Sequence, residues 1–346
     1  MLKLNGNWYI AAASRELGPN PIGRLVETEP LVLFRDSRGY PHALIDRCAH
    51  RGMALSHGRV VGDCIECPYH GWQYDGDGKL CAVPALCDGE KLSQPKTMIK
   101  YPAVESDEHI WVWTGQESPS GPPFHFPKCG EPGWTTFFLE TRFEAPVEAC
   151  LENFLDVPHT LFVHPGLFRG NAARQTRARI RRFHNSVEAE FLDEQPLEGF
   201  GPRLLFPRNT ILRHTDRFIL PAISRVDYAF GEEYAFTITS QCTQRAEYLV
   251  DVTTAITWKL PLPAWLIRPF LRWYCRRVIQ QDVGVLKILG DQTRQFGATC
   301  LSTTADLLGT HIRGLRRQAA EGHLPSPKDS EVNETSEVFE ETILRI

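Results

Sequence analysis

Residues 48–52 read Cys-Ala-His-Arg-Gly, and residues 67–72 read Cys-Pro-Tyr-His-Gly-Trp. Each stretch pairs a cysteine with a histidine two or three positions later. Two thiolates and two imidazoles can hold one Zn²⁺ ion or one [2Fe–2S] cluster. Each histidine is followed closely by a glycine, which lets a loop backbone approach a ligand without a Cβ in the way. The two stretches therefore predict a metal centre held by loops.

Zinc is the main alternative for these ligands. Cys64 and Cys67 form a C-x-x-C pair, which is common in zinc modules. The two mixed Cys/His pairs favour an iron–sulfur cluster instead, in which two thiolates bind one iron and two imidazoles bind the other. Such a cluster accepts an electron more readily than one held by four cysteines. Cys64 is then a spare thiol, which we expect to pack nearby.

The composition is that of a folded protein without a nucleic-acid partner. The chain has 346 residues, enough for about two domains, and 42% of them are hydrophobic. Its formal net charge of −4 gives no basic surface for DNA or RNA. We find no apolar run of about 18 or more residues and no apolar leader, so we expect a cytoplasmic protein. Ten cysteines in a reducing compartment point to metal binding rather than to disulfides.

A second group of candidate ligands lies in residues 153–165, which read Asn-Phe-Leu-Asp-Val-Pro-His-Thr-Leu-Phe-Val-His-Pro. On a regular helix Asp156 and His159 would be neighbours, whereas His159 and His164 would diverge by about 140°. Pro158 should break the helix just before His159, and a broken helix can bring both imidazoles to one point. The alternative is two unrelated surface histidines, but an unsatisfied imidazole is costly in so apolar a stretch.

Two histidines usually need a carboxylate to complete an iron site. Asp282 is the best candidate, because it lies on the predicted inner face of a late helix, where an aspartate is almost never buried without a partner. That face is formed by Val278, Asp282, Val285, Leu286 and Leu289. The alternative partner is an arginine in a buried salt bridge. Asp291 and Asp306 are weaker candidates, since their surroundings are more polar or less periodic.

The strand and helix signals predict an α+β protein. Short apolar runs between turns indicate strands in the first part of the chain, and alternation over about residues 180–260 indicates an antiparallel sheet with one covered face. The pattern becomes helical from about residue 263 to residue 320. A proline-rich segment separates the two parts. We therefore predict domains at 1–120 and 121–325, followed by a mobile acidic tail at 326–346.

These motifs resemble one known family. The loops C-x-H-R-G and C-P-Y-H-G-W resemble the two cluster-binding loops of Rieske proteins. The pattern Asn-x-x-Asp-x-x-His-x4-His, with Gln-Asp on a late helix, resembles the catalytic domain of Rieske non-haem iron oxygenases, and the length resembles their homotrimeric monooxygenase and demethylase group. The resemblance covers about residues 8–320. It implies an all-β Rieske domain, followed by an α+β catalytic domain with an antiparallel sheet flanked by helices.

The resemblance also implies a role for each candidate residue. The ligands of the [2Fe–2S] cluster would be Cys48, His50, Cys67 and His70. The ligands of a mononuclear Fe(II) would be His159, His164 and Asp282. Asp156 would link His159 to a cluster histidine of the neighbouring subunit, and Asn153 would be a polar residue close to the iron.

The function implied is that of a terminal oxygenase component. Electrons from NAD(P)H would arrive only through a separate flavin or iron–sulfur reductase, or a ferredoxin. O₂ would then be used to hydroxylate a hydrophobic substrate such as an aromatic, a sterol or a terpenoid, which can lead on to demethylation. A ring-dihydroxylating dioxygenase or a desaturase is the alternative within the family. A Rieske electron carrier or a zinc-bound structural module is the alternative outside it.

One apolar stretch fits two kinds of surface. Residues 261–279 carry Arg268, Arg272 and Arg276 at helical spacing among large apolar side chains. We interpret the stretch as a lid or subunit-interface helix with a solvated basic stripe. A peripheral membrane contact that collects a lipophilic substrate is the alternative.

Overall fold

The computed structural model describes residues 2–87, 97–167, 174–194, 211–260, 262–298, 301–323 and 337–346. The chain divides into two compact units, of which one comprises residues 5–125 together with 243–246. The other comprises residues 1–4, 126–242 and 247–346. The domain boundaries at 120 and 325 stay predictions, and residue 325 lies outside the described residues.

The unit that contains the two Cys/His loops is built from short antiparallel strands. Its described strands are β1 (Trp8–Ala13), β2 (Ile22–Val26), β3 (Glu29–Arg35), β4 (Pro41–Ile45), β5 (Arg59–Val61), β6 (Cys64–Glu66), β7 (Gln73–Tyr74), β8 (Leu80–Ala82), β9 (Lys100–Tyr101), β10 (Ala103–Ser106) and β11 (His109–Trp113). They form sheets in the orders β1-β11-β10, β2-β3-β4-β9 and β5-β6-β7-β8. The prediction that short apolar runs form strands in the first part of the chain is confirmed, because such runs form most of β3, β4 and β11.

The core of this unit lies directly beneath the loops. Val32, Phe34 and Leu44 of β3 and β4 pack in one buried cluster with Cys48 and Cys67. Each of these five residues is at most 2% exposed. Burial of apolar side chains stabilises by about 25 cal/mol per Å² removed from water. Cys48 and Cys67 are therefore anchored in the hydrophobic core of the unit.

The other unit contains one large antiparallel sheet. Its strands are β12 (Thr135–Phe143), β13 (Gln175–Arg182), β14 (Ser186–Phe191), β15 (Leu212–Ile219), β16 (Ile223–Phe230), β17 (Tyr234–Ala246), β18 (Leu249–Lys259) and β19 (Glu337–Arg345). The order across the sheet is β12-β18-β17-β16-β15-β14-β13-β19. The sheet predicted from alternation over about residues 180–260 is confirmed, and this unit has the α+β composition expected.

Four described helices accompany the sheet: α1 (Val147–Phe154), α2 (Thr160–Val163), α3 (Ala264–Phe296) and α4 (Gly309–Ala320). Pro146 immediately precedes the first residue of α1. The described helices all lack the combination of length and apolar character that crossing a bilayer requires.

In the 261–279 stretch, Trp265 and Trp273 are exposed, and Arg272 lies over the ring of Phe137. Arg272 is therefore partly buried and does not belong to a solvated stripe.

The inner face of α3 is narrower than the sequence suggested. Val278, Asp282 and Leu286 are buried as predicted, but Val285 and Leu289 are 41% and 46% exposed. The buried stripe continues instead through Ile267, Leu271, Tyr274, Cys275 and Gly290. Helical periodicity alone includes residues on the border of a face, and packing against the neighbouring elements decides which of them is covered.

The prediction of a mobile tail at 326–346 is wrong for its last part. Residues 326–336 lie outside the described residues, whereas Glu337–Arg345 form β19, which pairs with β13 in antiparallel register. Leu344 and Ile346 are buried, and Glu341 accepts a hydrogen bond from Arg179 of β13 at 2.8 Å. The acidic composition suggested a solvated tail. In the structure the acidic strand β19 instead lies beside the arginine-rich strand β13, and Glu341 pairs with Arg179.

Candidate metal centres

The two Cys/His loops share one backbone pattern. In each, the amide of the glycine donates to the carbonyl of the cysteine, and the amide of the cysteine donates to the carbonyl of the residue after the glycine. The bonds join Gly52 to Cys48 (2.8 Å), Cys48 to Met53 (2.8 Å), Gly71 to Cys67 (3.1 Å) and Cys67 to Trp72 (2.8 Å). The glycines have φ angles of +74° and +70°, which a Cβ would disfavour. Glycine is therefore required at both turns.

The side chains of these loops fit a cluster held by two thiolates and two imidazoles. The rings of His50 and His70 are 4.6 Å apart, and Trp72 stacks on His50 at 4.6 Å with an interplanar angle of 4°. Nδ1 of His50 is buried and has no hydrogen-bond partner among the described residues. Such an atom is costly to bury unless a ligand completes it. Burial and the charges of His70 and Arg51 lower the pKa of His50, which favours the neutral, metal-binding imidazole.

One further contact reaches a predicted cluster ligand. The hydroxyl of Tyr74 lies 3.3 Å from Sγ of Cys48, and both residues are buried. A hydroxyl at this place can donate to a thiolate and so make a cluster easier to reduce. Sequence reasoning did not single out Tyr74, since a buried tyrosine in a strand gives no separate signal.

The second candidate centre lies where α1 gives way to α2. Helix α1 ends at Phe154, two residues earlier than Asp156, and α2 begins at Thr160. His159 lies immediately before α2, and His164 lies immediately after it. The break predicted at Pro158 is confirmed, although it begins before Asp156. One short turn of helix therefore separates the two histidines and directs both imidazoles to the same side.

The structure brings His159, His164 and Asp282 together. Nε2 of His159 lies 3.3 Å from Nε2 of His164, and Oδ1 of Asp282 lies 3.5 Å from the first and 3.1 Å from the second. Ligand bonds of about 2.1 Å at angles between 90° and 109° would separate donor atoms by about 3.0 to 3.4 Å. Among the described residues, this is the one group of three donors close enough to share an ion.

The surroundings of Asp282 also fit a cation. Asp282 is 7% exposed. Its Oδ1 is buried and has no partner in hydrogen-bond geometry among the described residues. Burial acts to raise the pKa of Asp282, but His159 and His164 outweigh it, so the pKa is lowered. Burial likewise acts to lower the pKa of His159, and the carboxylates of Asp282 and Asp156 outweigh it and raise that pKa. The alternative partner for Asp282 was an arginine in a buried salt bridge. The observed partners are the two histidines instead.

Each imidazole is held through its other nitrogen. Nδ1 of His164 lies 2.9 Å from Oε1 of Gln281 and donates to it. Nδ1 of His159 contacts the backbone carbonyl of Asp156. Both contacts direct the lone pair of Nε2 to the point that the three donors share. Sequence reasoning missed the positioning role of Gln281, because a neighbour of Asp282 on a helix points about 100° away from it.

Asp156 and Asn153 lie beside this group. Oδ2 of Asp156 is 3.8 Å from Nδ1 of His159, and the side chain is 39% exposed. Burial raises the pKa of Asp156, and the nearby His159 acts against it. Oδ1 of Asn153 is buried and lacks a hydrogen-bond partner among the described residues. The weaker sequence candidates lie elsewhere, since Asp291 pairs with Arg294 and Asp306 accepts from Thr303.

A cavity of about 130 Å³ opens directly onto the three donors. Most of its wall is apolar or aromatic, and the sheet contributes hydroxyl groups from neighbouring strands. The described lining residues are Phe143, Asn153, Phe154, His159, Thr160, His164, Ser224, Val226, Tyr228, Phe236, Ile238, Ser240, Thr254, Ile256, Tyr274, Cys275, Val278, Ile279 and Asp282. A largely apolar pocket with a few convergent polar groups is the usual form of a small-molecule site.

Comparison with known proteins relates the unit that contains the two Cys/His loops to one family, and about half of the chain to curated proteins. Residues 7–96 match the family described as Rieske [2Fe-2S] domain. The iron-sulfur subunit TsaM1 of the toluene-4-sulfonate monooxygenase system of Comamonas testosteroni is 32% identical over 179 residues, which is 51% of this chain and 50% of that protein. The oxygenase component of dicamba O-demethylase of Stenotrophomonas maltophilia is 32% identical over 204 residues, 58% of each chain. The chain thus spans about half the length of these curated relatives.

A solved structure shares the fold over nearly the whole chain. The crystal structure of dicamba monooxygenase bound to 3,6-dichlorosalicylic acid matches with a TM-score of 0.80. The match covers 94% of this chain and 100% of that one, at 19% sequence identity. At this identity the likeness describes the fold.

Asp282→Ala should remove the metal of the second centre and leave the first intact. Without the carboxylate two imidazoles remain, which hold Fe(II) poorly. We expect iron content to fall by about one third per chain, because two of three iron atoms belong to the cluster. The visible spectrum of the cluster should be unchanged. Asp291→Ala, on the exposed side of the same helix, is the control, and iron loss in that variant alone would contradict the assignment.

Gln281→Leu should weaken metal binding at the second centre without abolishing it. Losing a partner that orients a ligand typically costs about 10-fold to 100-fold in affinity. Titration of the apo site with Co²⁺, followed by its visible absorption, measures this directly. Gln280→Leu changes an exposed neighbour on the same turn and should bind Co²⁺ like the wild type. Equal affinity in the two variants would show that Gln281 does not position His164.

Proposed function

We propose, since this chain belongs to the family of Rieske oxygenase components, that it is a terminal oxygenase which hydroxylates a small hydrophobic substrate with O₂. One observation carries the proposal: a two-histidine, one-carboxylate group faces a largely apolar cavity in a chain that also has a Rieske domain. That ligand set is the one used by non-haem Fe(II) oxygenases. A Rieske electron carrier would leave both the ligand group and the cavity without a role.

The residues divide into two holding sets. Cys48, His50, Cys67 and His70 would hold the [2Fe–2S] cluster, and His159, His164 and Asp282 would hold Fe(II). When bound, the cluster stores single electrons and the Fe(II) offers open positions at which O₂ can react. The chain itself contributes orientation, because Gln281 and the backbone of Asp156 fix the two imidazoles. It also contributes an apolar wall, because Phe143, Phe236 and Ile256 line the same cavity as the donor group.

The partners follow from the need for electrons. The proposal includes a separate flavin or iron–sulfur reductase, or a ferredoxin, that draws on NAD(P)H. It also includes a homotrimer, in which Asp156 of one subunit accepts a hydrogen bond from a cluster histidine of the next. The exposure of the His70 and Asp156 side chains supports such a contact. A cytoplasmic location, expected from the sequence, stays a prediction.

The cavity favours a substrate about the size of one substituted ring. A cavity of about 150 Å³ on the same measure holds benzene, and the one described here has about 130 Å³. Sterols and larger terpenoids exceed this volume several-fold. The described lining has no lysine or arginine to pair with an anion. Hydroxyls of Ser224, Ser240 and Thr254 can bond one polar substituent, so we propose a neutral aromatic with a hydroxyl, methoxy or similar group.

The function is tested by product formation under ¹⁸O₂. The protein, loaded with cluster and Fe(II), is supplied with NADH, a flavin reductase and a ferredoxin, and offered neutral methoxyarenes, benzoates and a sterol. We expect ¹⁸O in the product, or formaldehyde and a phenol from a methoxyarene, with the neutral rings preferred. Binding is measured separately by the nitric oxide complex of Fe(II) in electron paramagnetic resonance, whose signal shifts when a substrate enters the cavity.

Three results would count against the proposed hydroxylation, and a fourth would count against the proposed substrate. Electron uptake without an oxygenated product from any ring compound would favour an electron carrier. Entry of two ¹⁸O atoms into one product would favour the dioxygenase alternative. Loss of a hydrogen pair without oxygen incorporation would favour the desaturase. A preference for benzoates would refute only the assignment of a neutral substrate.

Asp156→Asn should keep both metal centres and slow electron transfer between them. The amide is the same size but carries no charge, so it holds an imidazolium partner less well. We expect iron content near that of the wild type and turnover reduced by at least about 100-fold, since the transfer step is lost. Rapid mixing of the reduced protein with O₂ and substrate measures the rate at which the cluster is reoxidised. An unchanged rate, with Asp291→Asn as the control, would exclude this role for Asp156.

A further inference from the structure

Two thiols that the proposed function does not use lie in contact. Sγ of Cys64 is 2.8 Å from Sγ of Cys81. Cys64 is the spare thiol of the C-x-x-C pair noted in the sequence, and it begins strand β6. Cys81 lies in β8, which is separated from β6 by β7 in the sheet. The sequence predicted that Cys64 packs near the Cys/His loops. In the structure it contacts a second thiol, that of Cys81.

The short length of β7 explains how thiols from non-adjacent strands meet. Its two residues pair with Ile65 and Glu66, so Cys64 lies just beyond the end of β7. On the other side Gln73 pairs with Ala82 and Tyr74 pairs with Leu80, which leaves Cys81 as the extra residue of a bulge. A bulge redirects one side chain out of the normal alternation. The two side chains therefore converge past the end of β7.

The two thiols differ in environment. Cys81 is exposed, whereas Cys64 is partly covered. Burial, together with the neighbouring Cys81 thiol and the carboxylates of Asp75 and Asp63, raises the pKa of Cys64 to about 12. Cys64 is therefore held as the protonated thiol at neutral pH. Cys81 is the sulfur that a dissolved oxidant reaches first, since reactivity requires access as well as a thiolate.

We propose that Cys64 and Cys81 form a redox modification site, which a hydroperoxide converts into a disulfide. The sulfur of Cys81 attacks the terminal oxygen of the hydroperoxide; the O–O bond breaks, an alcohol or water leaves, and a sulfenic acid forms. The sulfur of Cys64 then attacks the sulfur of Cys81, the S–O bond breaks, and water leaves with the proton of Cys64. Each sulfur is oxidised by one electron, and the hydroperoxide takes up both electrons.

The cross-link would brace one of the two Cys/His loops. Strand β6 leads directly into Cys67, and β8 is followed by Pro84. The ring of Pro84 lies over Gly71, where an added Cβ would be 3.0 Å from Pro84 Cγ. A bond between β6 and β8 therefore ties together the segment that enters the loop and the segment that covers it. Closing a loop of this length would raise the melting temperature of a unit of this size by about 12 °C.

The test uses the intact holoprotein and reads thiols rather than turnover. Reduced protein is treated with a few equivalents of hydrogen peroxide or cumene hydroperoxide, alkylated and digested. We expect mass spectrometry to find a peptide that joins Cys64 to Cys81, and dithiothreitol to reverse it. Cys64→Ser should stop at the sulfenic acid of Cys81, which dimedone traps. Cys87→Ser, which removes another exposed thiol, should behave like the wild type.

Several outcomes would overturn the proposal. One is that both thiols remain open to alkylation while other cysteines of the same sample are oxidised. Another is a disulfide that joins Cys64 to Cys67 instead, since it would report damage to the cluster site. If Cys64→Ser does not fold, the peptide map of the wild type still decides the question. A protein without oxygenase activity can still give the expected map, so the two proposals fail independently.

Discussion

The unit that contains the large sheet depends on one carboxylate, that of Asp282, which lies in the apolar stripe of α3. A carboxylate withdrawn from water is costly unless a cation or a metal compensates it. The partners that the described structure provides are two imidazoles, at 3.1 and 3.5 Å. This requirement fixes the rotation of α3 about its own axis and keeps α2 beside it. His159, His164 and Asp282 also line one end of the cavity. A molecule bound in the cavity therefore lies next to the carboxylate of Asp282.

The Rieske unit meets its requirement in another way. Its candidate cluster ligands lie on loops rather than on helices, and two turns, each closed by a pair of backbone hydrogen bonds, give the loops their shape. The cysteines face the hydrophobic core, whereas His70 is exposed. One side of a bound cluster would therefore be held rigidly by the core, and the other would remain near the surface, where electrons can enter and leave.

Local sequence was sufficient for much of this arrangement. The two loops could be predicted because ligand type, spacing and glycine all occur within a few residues. The broken helix could be predicted because Pro158 disfavours a helix that continues from Asp156 to His159. Asp282 required the additional argument that a charged residue on an apolar face needs a partner. Gln281 and Tyr74 could not be predicted, because their roles arise from contacts between distant segments. Val285 and Leu289 lie on the border of a helical face, and only the packing of α3 shows that they are exposed.

The last strand of the large sheet has a consequence for solubility at high concentration. Among the described strands, β19 is an outer strand, so one row of its backbone amides and carbonyls has no neighbour within the sheet. Such a row can recruit the same strand of another molecule and start aggregation. Glu340 is exposed on β19, whereas the charge of Glu341 is compensated by Arg179 of β13. Two copies approaching along this edge would bring like charges together, and the repulsion would weaken in concentrated salt or in acid.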